Sequence, residues 1–177
     1  MGMTGKKFLN SLANGKIDIL QVFLDILAET KTKYCLIGGL AVNAYSEPVV
    51  SLDLDVIVAA GRMKEIIKAA AGKGLKAKKF EHSLNLTSSG SDLRIQIQTD
   101  DRYQAFIPKA IPKKVLGYKM KVAAIEDVLQ WKIWAYSDEL RCMSKRQIDL
   151  ADIMRLVESR PALMSKLPSD LKKKILI

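Results

Sequence analysis

The segment that most constrains the fold is a glycine pair followed, at a fixed interval, by two carboxylates. Gly38-Gly39 ends the short apolar run 34–37, and a spacer separates it from the stretch that begins at Ser51. Polar and apolar residues then alternate with period two, so Ser51, Asp53 and Asp55 are predicted on one face of a β-strand. The pattern predicts a strand, a tight turn into a helix, and a second strand that carries the acids.

This arrangement of glycines and acids favours one kind of chemistry. Two neighbouring carboxylates repel each other unless a cation lies between them. Their oxygens suit a hard ion such as Mg²⁺ (or Mn²⁺), which also keeps places for water and phosphate. The glycine pair lets backbone N–H groups approach a phosphate closely. Together these features predict a metal-assisted reaction of a nucleotide.

Composition narrows the partners and the location. The 177 residues suit one domain, or one domain with a small helical appendage. A formal charge of +10 favours a nucleic acid, a nucleotide or an acidic surface as partner, although a solvated basic surface explains it equally well.

The N-terminus lacks the apolar core of a signal peptide, and no apolar run reaches a membrane span. Cys35 and Cys142 lack partners at metal spacing, so we expect a soluble cytoplasmic protein without zinc.

Hydrophobic periodicity divides the chain into three parts. We predict a loosely ordered N-terminus over 1–15, an α/β core over 16–123 and a helical part over 124–177. Core helices are predicted near 16–29, 39–46 and 62–71, and strands near 34–37, 51–59, 75–79, 82–87, 93–98, 113–116 and 119–122. In the C-terminal part, Ser144 and Gln147 form a predicted capping box at the start of a helix, and Pro161 and Pro168 mark short terminal helices.

The central motifs resemble a known superfamily. Ile37-Gly38-Gly39, a spacer, and Leu52-Asp-Leu-Asp-Val56 match the pattern of the nucleotidyltransferases, which have the DNA-polymerase-beta-like fold. Ser51 matches a Ser or Thr often found two residues before the first acid. The chain looks most like the small bacterial branch related to abortive-infection toxins, with similarity over roughly residues 18–158 that includes the helix 144–152. The resemblance implies an α/β (α+β) fold, with a mixed sheet flanked by helices and a helical C-terminal part.

The resemblance also implies an activity. Such proteins transfer a nucleotidyl group from an NTP to an acceptor, here tRNA, another RNA or a protein hydroxyl, with attack at the α-phosphate. Gly38 and Gly39 would hold the triphosphate, and Asp53 and Asp55 would ligate Mg²⁺. These expectations rest on Gly38, Gly39, Asp53 and Asp55 and on the spacing between the two pairs.

Further candidate residues each have a plainer interpretation. Arg94 shares a predicted strand face with Gln98 and would contact phosphate or base, or it belongs to a solvent-facing polar row. Lys132, Lys145 and Asp149 would lie near the triphosphate, or they form ion pairs on a helix surface that contribute little to stability. His82, the sole histidine, is more typical of a surface residue than of a catalyst.

One departure from the superfamily pattern affects the predicted activity. Active members usually carry a third carboxylate on a later strand, where this chain has Gln96 between Ile95 and Ile97. An amide binds a cation more weakly than a carboxylate and cannot act as a base near neutral pH. Asp92 shares the predicted face but lies roughly 13 Å along the strand. Asp100 and Asp101 are the other substitutes.

Three hypotheses follow from this sequence. The first is a transferase with Asp53, Asp55 and Gln96 in its catalytic site. The second is a catalytically impaired nucleotide-binding or regulatory module of the same fold. The third is a basic protein that binds RNA or another partner through charge alone.

Overall fold

Seven strands of one mixed sheet form the centre of the molecule. A computed structural model describes residues 4–175. The strands are β1 (Tyr34–Ile37), β2 (Asp53–Val58), β3 (Lys76–Lys79), β4 (Ser83–Ser88), β5 (Ser91–Gln98), β6 (Ile111–Val115) and β7 (Tyr118–Val122). Their spatial order is β3-β4-β5-β2-β1-β7-β6. β1 is antiparallel to β2 and parallel to β7, and β2 is parallel to β5.

Helices flank this sheet and dominate the C-terminal third. They are α1 (Gly5–Leu12), α2 (Ile19–Glu29), α3 (Gly38–Val42), α4 (Met63–Gly72), α5 (Ile125–Ser137), α6 (Met143–Ser159) and α7 (Ser169–Ile175). Two 3₁₀ segments cover Asp101–Lys109 and Pro161–Lys166. The mixed sheet, its flanking helices and the helical C-terminal part confirm the predicted fold class. None of the helices within residues 4–175 is long and apolar enough to cross a membrane.

The pairing of β2 brings the sequence motifs together. Asp55 lies opposite Ile37 of β1 on one side and opposite Gln96 of β5 on the other. Since Gly38 follows Ile37 directly, the glycine turn lies beside the second acid. Asp53, two residues earlier, lies opposite Arg94. Strand register thus brings the glycine turn, the two acids and Gln96 together on three neighbouring strands.

The two faces of β5 have different environments, as its alternation predicts. Leu93, Ile95 and Ile97 are fully buried in the core, whereas Arg94, Gln96 and Gln98 remain partly exposed on the other face. The core face packs against α2, whose Phe23 and Ile26 are inaccessible to solvent. The sheet therefore has a hydrophobic face under helices and a polar face that carries the acids.

The N-terminal segment differs from the prediction. Within the segment predicted to be loosely ordered, the structure has the helix α1, whose Leu9 is buried and which a buried Ala13 follows. Thr4 caps the helix by accepting a hydrogen bond from the backbone N–H of Lys7 at 3.3 Å. A single inward-facing leucine is a weak periodic signal, so the sequence did not reveal this helix. Residues 1–3 of the predicted segment lie outside the described range.

The start of α6 also differs from the prediction. The predicted capping box at Ser144 and Gln147 is wrong, because the helix begins at Met143 and Cys142 occupies the N-cap without a side-chain hydrogen bond. Ser144 lies inside the first turn, with its Oγ 3.7 Å from the Cys142 Sγ.

Two further elements departed from expectation. The helix predicted over 39–46 ends at Val42, because the Asn43 side chain exchanges two hydrogen bonds with the backbone of Val49 and turns the chain. The 3₁₀ segment Asp101–Lys109 was not predicted. Its Tyr103 and Phe106 are buried, and Pro108 lies inside it. At the other end of the chain, residues 176–177 of the predicted helical part lie outside the described residues.

Candidate active site

A cleft of about 200 Å³ opens over the polar face of β2 and β5. The turn into α3 and the loop before β2 form one wall, and α5, α6 and the loop between them form the other. Nine charged side chains line it, five of them cationic: Asp53, Asp55, Arg94, Lys132, Arg141, Lys145, Asp149, Asp152 and Arg155. Most of the predicted site residues therefore meet in one place.

Gly38 and Asp55 are sterically coupled. Gly38 has φ of +71°, a conformation that favours glycine. A Cβ built there would lie 2.8 Å from the Cβ of Asp55 and still closer to its carboxylate. A Cβ at Gly39 would meet only Ser51, with its Oγ at 3.7 Å. The first glycine is therefore required by the position of the acid, whereas the second leaves backbone open toward the cleft.

Ser51 supports the first acid through the backbone. Its Oγ accepts a hydrogen bond from the N–H of Asp53 at 3.3 Å and donates to the Asp53 carbonyl oxygen at 3.1 Å. This local motif fixes the chain where β2 begins. The Ser51 side chain lines the cleft beside Gly39, which is where the sequence interpretation expects a nucleotide contact.

Asp53 is paired with cations from two different elements. Its Oδ1 accepts from Arg94 Nε at 3.0 Å and lies 2.9 Å from Nη2 of the same guanidinium. Its Oδ2 lies 3.4 Å from the Nζ of Lys145 on α6. Arg94 comes from the neighbouring strand and Lys145 from the opposite wall, so Asp53 links the floor of the cleft to α6.

Asp55 has a different environment. Within residues 4–175 no donor forms a hydrogen bond to its carboxylate. Burial raises the pKa of Asp55 to about 6, a rise that Lys132 opposes and the neighbouring Asp53 charge reinforces. A partly exposed acid without a hydrogen-bond donor among the described residues is well suited to bind a cation.

Gln96 occupies the position beside Asp55 on β5. Within the described residues, no third His, Cys, Asp or Glu joins the two acids in a cluster that could hold a metal ion. Asp92 is exposed and accepts a hydrogen bond from Asn14 Nδ2 at 2.6 Å. Asp100 pairs with Arg102 at 2.8 Å. Asp101 is exposed in the 3₁₀ segment, away from the cleft lining.

A buried network of charges supports the far wall. Lys132, whose side chain is only 4% exposed, lies 2.8 Å from Asp149 and 2.6 Å from Asp152. Arg141 and Arg155 neutralise the other oxygens of these acids, at 2.6 Å and 2.7 Å. The interpretation of Lys132 and Asp149 as helix-surface pairs is therefore wrong. Removing one partner of such a buried set typically costs about 3–5 kcal/mol.

This network also changes the predicted partners of two residues. Lys145 lies four residues before Asp149, but it reaches across the cleft to Asp53. Asp149 is fully buried and orients Lys132 and Arg141. Lys132 is the largest favourable charge acting on Asp55. Asp149 therefore acts on the cleft through the cations that it holds.

Sequence analysis missed several lining residues. Arg141 lies in the short loop between α5 and α6, where no periodic pattern marks it. Arg155 pairs with Asp152 and donates to Asn43 Oδ1 at 2.9 Å, joining α6 to the turn after α3. Its i,i+3 spacing from Asp152 was the one available signal. His82, by contrast, has an exposed side chain beside Glu81 and lies outside this cleft.

The donor set fits a hard divalent cation. Asp53 and Asp55 offer carboxylate oxygens on adjacent same-face positions of one strand, and Gln96 offers an amide oxygen beside them. Among residues 4–175, no donor forms a hydrogen bond to the Asp55 carboxylate. Oxygen ligands of this kind suit Mg²⁺ and Mn²⁺.

Comparison with solved structures identifies the architecture. The lincosamide antibiotic adenylyltransferase LnuA, in its lincomycin-bound form, aligns with a TM-score of 0.57 at 15% identity, over 81% of this chain and 99% of its own. The antibiotic-resistance factor ANT(2'')-Ia aligns with a TM-score of 0.56 at 13% identity, over 89% and 86%. This protein has the nucleotidyltransferase fold. A nucleotidyltransferase-like protein from Paracoccidioides brasiliensis also matches, with a TM-score of 0.53 at 15% identity, over 89% and 90%. The chain matches no protein-family model, and no curated protein matches it in sequence.

Replacing the first glycine tests its coupling to Asp55. We expect Gly38→Ala to lower the free energy of unfolding by about 2 kcal/mol or more, because a side chain is strained at φ of +71° and collides with Asp55. Chemical denaturation measures the change. Gly72→Ala is the matched control, since Gly72 lies in α4 with no neighbour within 4 Å of an added Cβ. Equal stabilities for the two variants would refute the coupling.

Asp55 also gives a pH-dependent prediction. The pKa of Asp55 is about 6 in the folded protein against an ordinary 3.8. Ionisation of Asp55 therefore lowers the free energy of unfolding as the pH rises from about 4 to about 6, and it has no effect at lower pH. Without metal, Asp55→Asn should raise the free energy of unfolding at pH 7.5 by about 2 kcal/mol, and the gain should vanish near pH 4.

Denaturant melts at several pH values measure this difference. Asp101→Asn, at an exposed carboxylate, is the control and should change stability by less than about 0.5 kcal/mol. Destabilisation by Asp55→Asn at pH 7.5 would contradict the prediction.

Proposed function

We propose that this protein transfers a nucleotidyl group from an NTP to a hydroxyl of an RNA, such as tRNA, or of a protein. The observation that carries the proposal is the position of Asp53 and Asp55, side by side on the cleft floor, with Gly38 packed against the second acid. The nucleotidyltransferase fold, which matches over 89% and 81% of the chain, supports it.

The cationic side chains would bind the triphosphate. Arg94 and Lys145 already lie at Asp53, and Arg141 lines the same wall. Gly39, at the start of α3, lines the cleft next to Ser51, and its backbone N–H would add a donor for a phosphate. Positive charge on the floor and on one wall of the cleft would attract a polyphosphate and hold it against the two acids.

The acids would hold the metal. Asp53 and Asp55 would hold Mg²⁺ or Mn²⁺, which would neutralise charge on the phosphates and make the acceptor hydroxyl easier to deprotonate. The residues of the cleft orient the reactants. An acceptor oxygen forms a bond to the α-phosphorus, the bond between this phosphorus and the β-phosphate oxygen breaks, pyrophosphate leaves, and the hydroxyl proton passes to water.

We also propose, from the sequence resemblance, a toxin-like role in the cytoplasm. The resemblance runs through Gly38-Gly39, the acid pair and the helix 144–152. Two unpaired cysteines, of which Cys35 is buried and Cys142 exposed, fit a reducing compartment.

Label transfer tests the main proposal. Purified protein is incubated with each α-³²P-labelled NTP, Mg²⁺, and either bulk tRNA or cell protein, and the products are separated on gels. We expect label on one acceptor class, and Asp53→Asn should reduce the transfer by at least a hundredfold. Asp92→Asn, a matched change on an exposed acid of the same sheet, should retain activity. No transfer from any NTP to either acceptor class would refute the proposal.

A second candidate function rests on Gln96. The amide beside Asp55 favours a nucleotide-binding or regulatory module with impaired turnover, because a neutral ligand stabilises metal and transition-state charge less than a carboxylate. In this case the native protein binds NTP without transferring it. A third possibility, a basic protein that binds RNA through charge alone, does not explain the acids at the cleft floor.

The isosteric change Gln96→Glu separates the first two candidates. We expect it to raise Mn²⁺ affinity about tenfold, measured by calorimetry with a non-hydrolysable NTP, because a third carboxylate joins the set. A simultaneous gain of label transfer supports the impaired module, and a native protein that already transfers supports the enzyme. Gln98→Glu, two residues further along β5, is the control. Equal metal affinity in the two variants would show that Gln96 is not a ligand position.

A further inference from the structure

The polar face of the sheet continues well beyond the cleft. Asp55 is in register with Gln96 of β5, Gln96 with Asn85 of β4, and Asn85 with Lys78 of β3. Residues paired in register point to the same side of a sheet. A row of polar side chains therefore runs from the second acid, across four strands, to the edge of the sheet.

The edge strand ends this row with positive charge and an aromatic ring. Lys76, Lys78 and Phe80 alternate along β3 and its continuation, so they share the face of Asp55. Both lysines are exposed, and Phe80 is 44% exposed. The Nζ of Lys78 lies 5.1 Å from the centroid of the Phe80 ring. Lysines interleaved with an exposed aromatic form a surface suited to phosphates and bases.

Asn85, in the middle of the row, has an unpaired acceptor. It is only 9% exposed, and its Oδ1 is buried without a hydrogen-bond partner within residues 4–175. An oxygen with so little accessible surface is covered by protein, so Asn85 continues the polar row without offering a contact to a ligand. On the opposite face of the same strand, Leu84 and Leu86 are buried in the core. Both faces of β4 are therefore covered at this point, and the row reaches solvent on either side of Asn85, at Gln96 and at Lys78.

We propose that the exposed part of this row, which we call the β3 platform (Lys76, Lys78, Phe80 and Gln96), binds single-stranded nucleic acid. Phe80 stacks on a base, and Lys76 and Lys78 contact phosphates. Three strand spacings separate Lys78 from Asp55, about 14 Å. At about 3.4 Å per stacked nucleotide, roughly four nucleotides span this distance.

The inference rests on the proposed function in one respect: it takes Asp55 as the place where the strand's terminal hydroxyl reacts. The platform would then select an acceptor with an unpaired end, because a flat sheet face with one ring offers stacking to a single strand and no groove for a duplex. Binding itself requires neither NTP nor metal, so it can be measured separately from transfer.

Fluorescence anisotropy with the full chain tests the platform. The probes are labelled 12-nucleotide RNA and DNA strands of one sequence, without NTP or Mg²⁺, over 25–200 mM salt. We expect Lys76→Ala/Lys78→Ala to weaken binding at least fivefold and to reduce the slope of log Kd against log salt by about 1.4, which is 0.7 for each phosphate that a lysine no longer neutralises. Lys114→Ala/Lys119→Ala is the control, because these exposed lysines pair at the opposite edge of the sheet and remove the same charge.

Two further variants separate stacking from charge. Phe80→Leu keeps an apolar side chain without a ring and should weaken binding about fivefold, whereas Phe80→Trp should preserve it. Strands of two nucleotides should bind markedly less well than strands of six. A difference between the RNA and DNA probes identifies which sugar the surface prefers.

Several outcomes would overturn the inference. They are the absence of oligonucleotide binding at 25 mM salt, an equal weakening by the two lysine pairs, unchanged binding in Phe80→Leu, and competition by polyglutamate as effective as that by the unlabelled strand. Strand binding with the expected decreases but without nucleotidyl transfer would refute the proposed activity alone. Transfer to a protein acceptor without strand binding would refute the platform alone.

Discussion

The close approach of Gly38 to Asp55 is the contact on which the rest of the site depends. Ile37 and Asp55 are paired across β1 and β2, so the chain that leaves β1 must turn directly over the acid. Only a residue without Cβ fits, and its φ of +71° directs the chain into α3. Burial of the same carboxylate raises its pKa to about 6. One steric constraint thus sets the path of the backbone beside the acid on which the cleft is centred.

Cationic side chains on α5, α6 and β5 offset the negative charge of the two acids without neutralising it completely. Lys132 is the charge that most favours ionised Asp55, but its ammonium is held by Asp149 and Asp152 and cannot move to it. Arg94 and Lys145, with partly exposed side chains, are the groups that contact Asp53 directly. The cleft therefore combines a fixed buried cation on α5 with two accessible ones, Arg94 on β5 and Lys145 on α6. Such an arrangement keeps Asp55 available while Asp53 has partners that can be exchanged for a ligand.

Periodicity and spacing predicted the elements that carry the site. The run 34–37, the acid strand and the alternation of β5 are visible in the sequence because each alternates or is continuously apolar, and the structure has strands at all three. What sequence could not show were contacts set by tertiary packing. Examples are the docking of α1 through Leu9, and the reach of Lys145 to Asp53 in preference to Asp149, its neighbour on the helix. Burial of the Lys132 network depends on how α5 meets α6, which no local pattern encodes.

Gln96 fits the strand register of the fold but lacks the charge that the chemistry of the superfamily leads one to expect there. The register that places it beside Asp55 also continues through Asn85 to Lys78, so a neutral amide stands between a pair of acids and a basic edge. A carboxylate in that place would strengthen metal binding and would also repel a phosphate backbone crossing the sheet. An amide accepts and donates hydrogen bonds without charge, and hence tolerates both neighbours. If a polyanion lies along this row, the path of the acceptor explains why Gln96 replaces the third carboxylate. The replacement then weakens the binding of metal by the site.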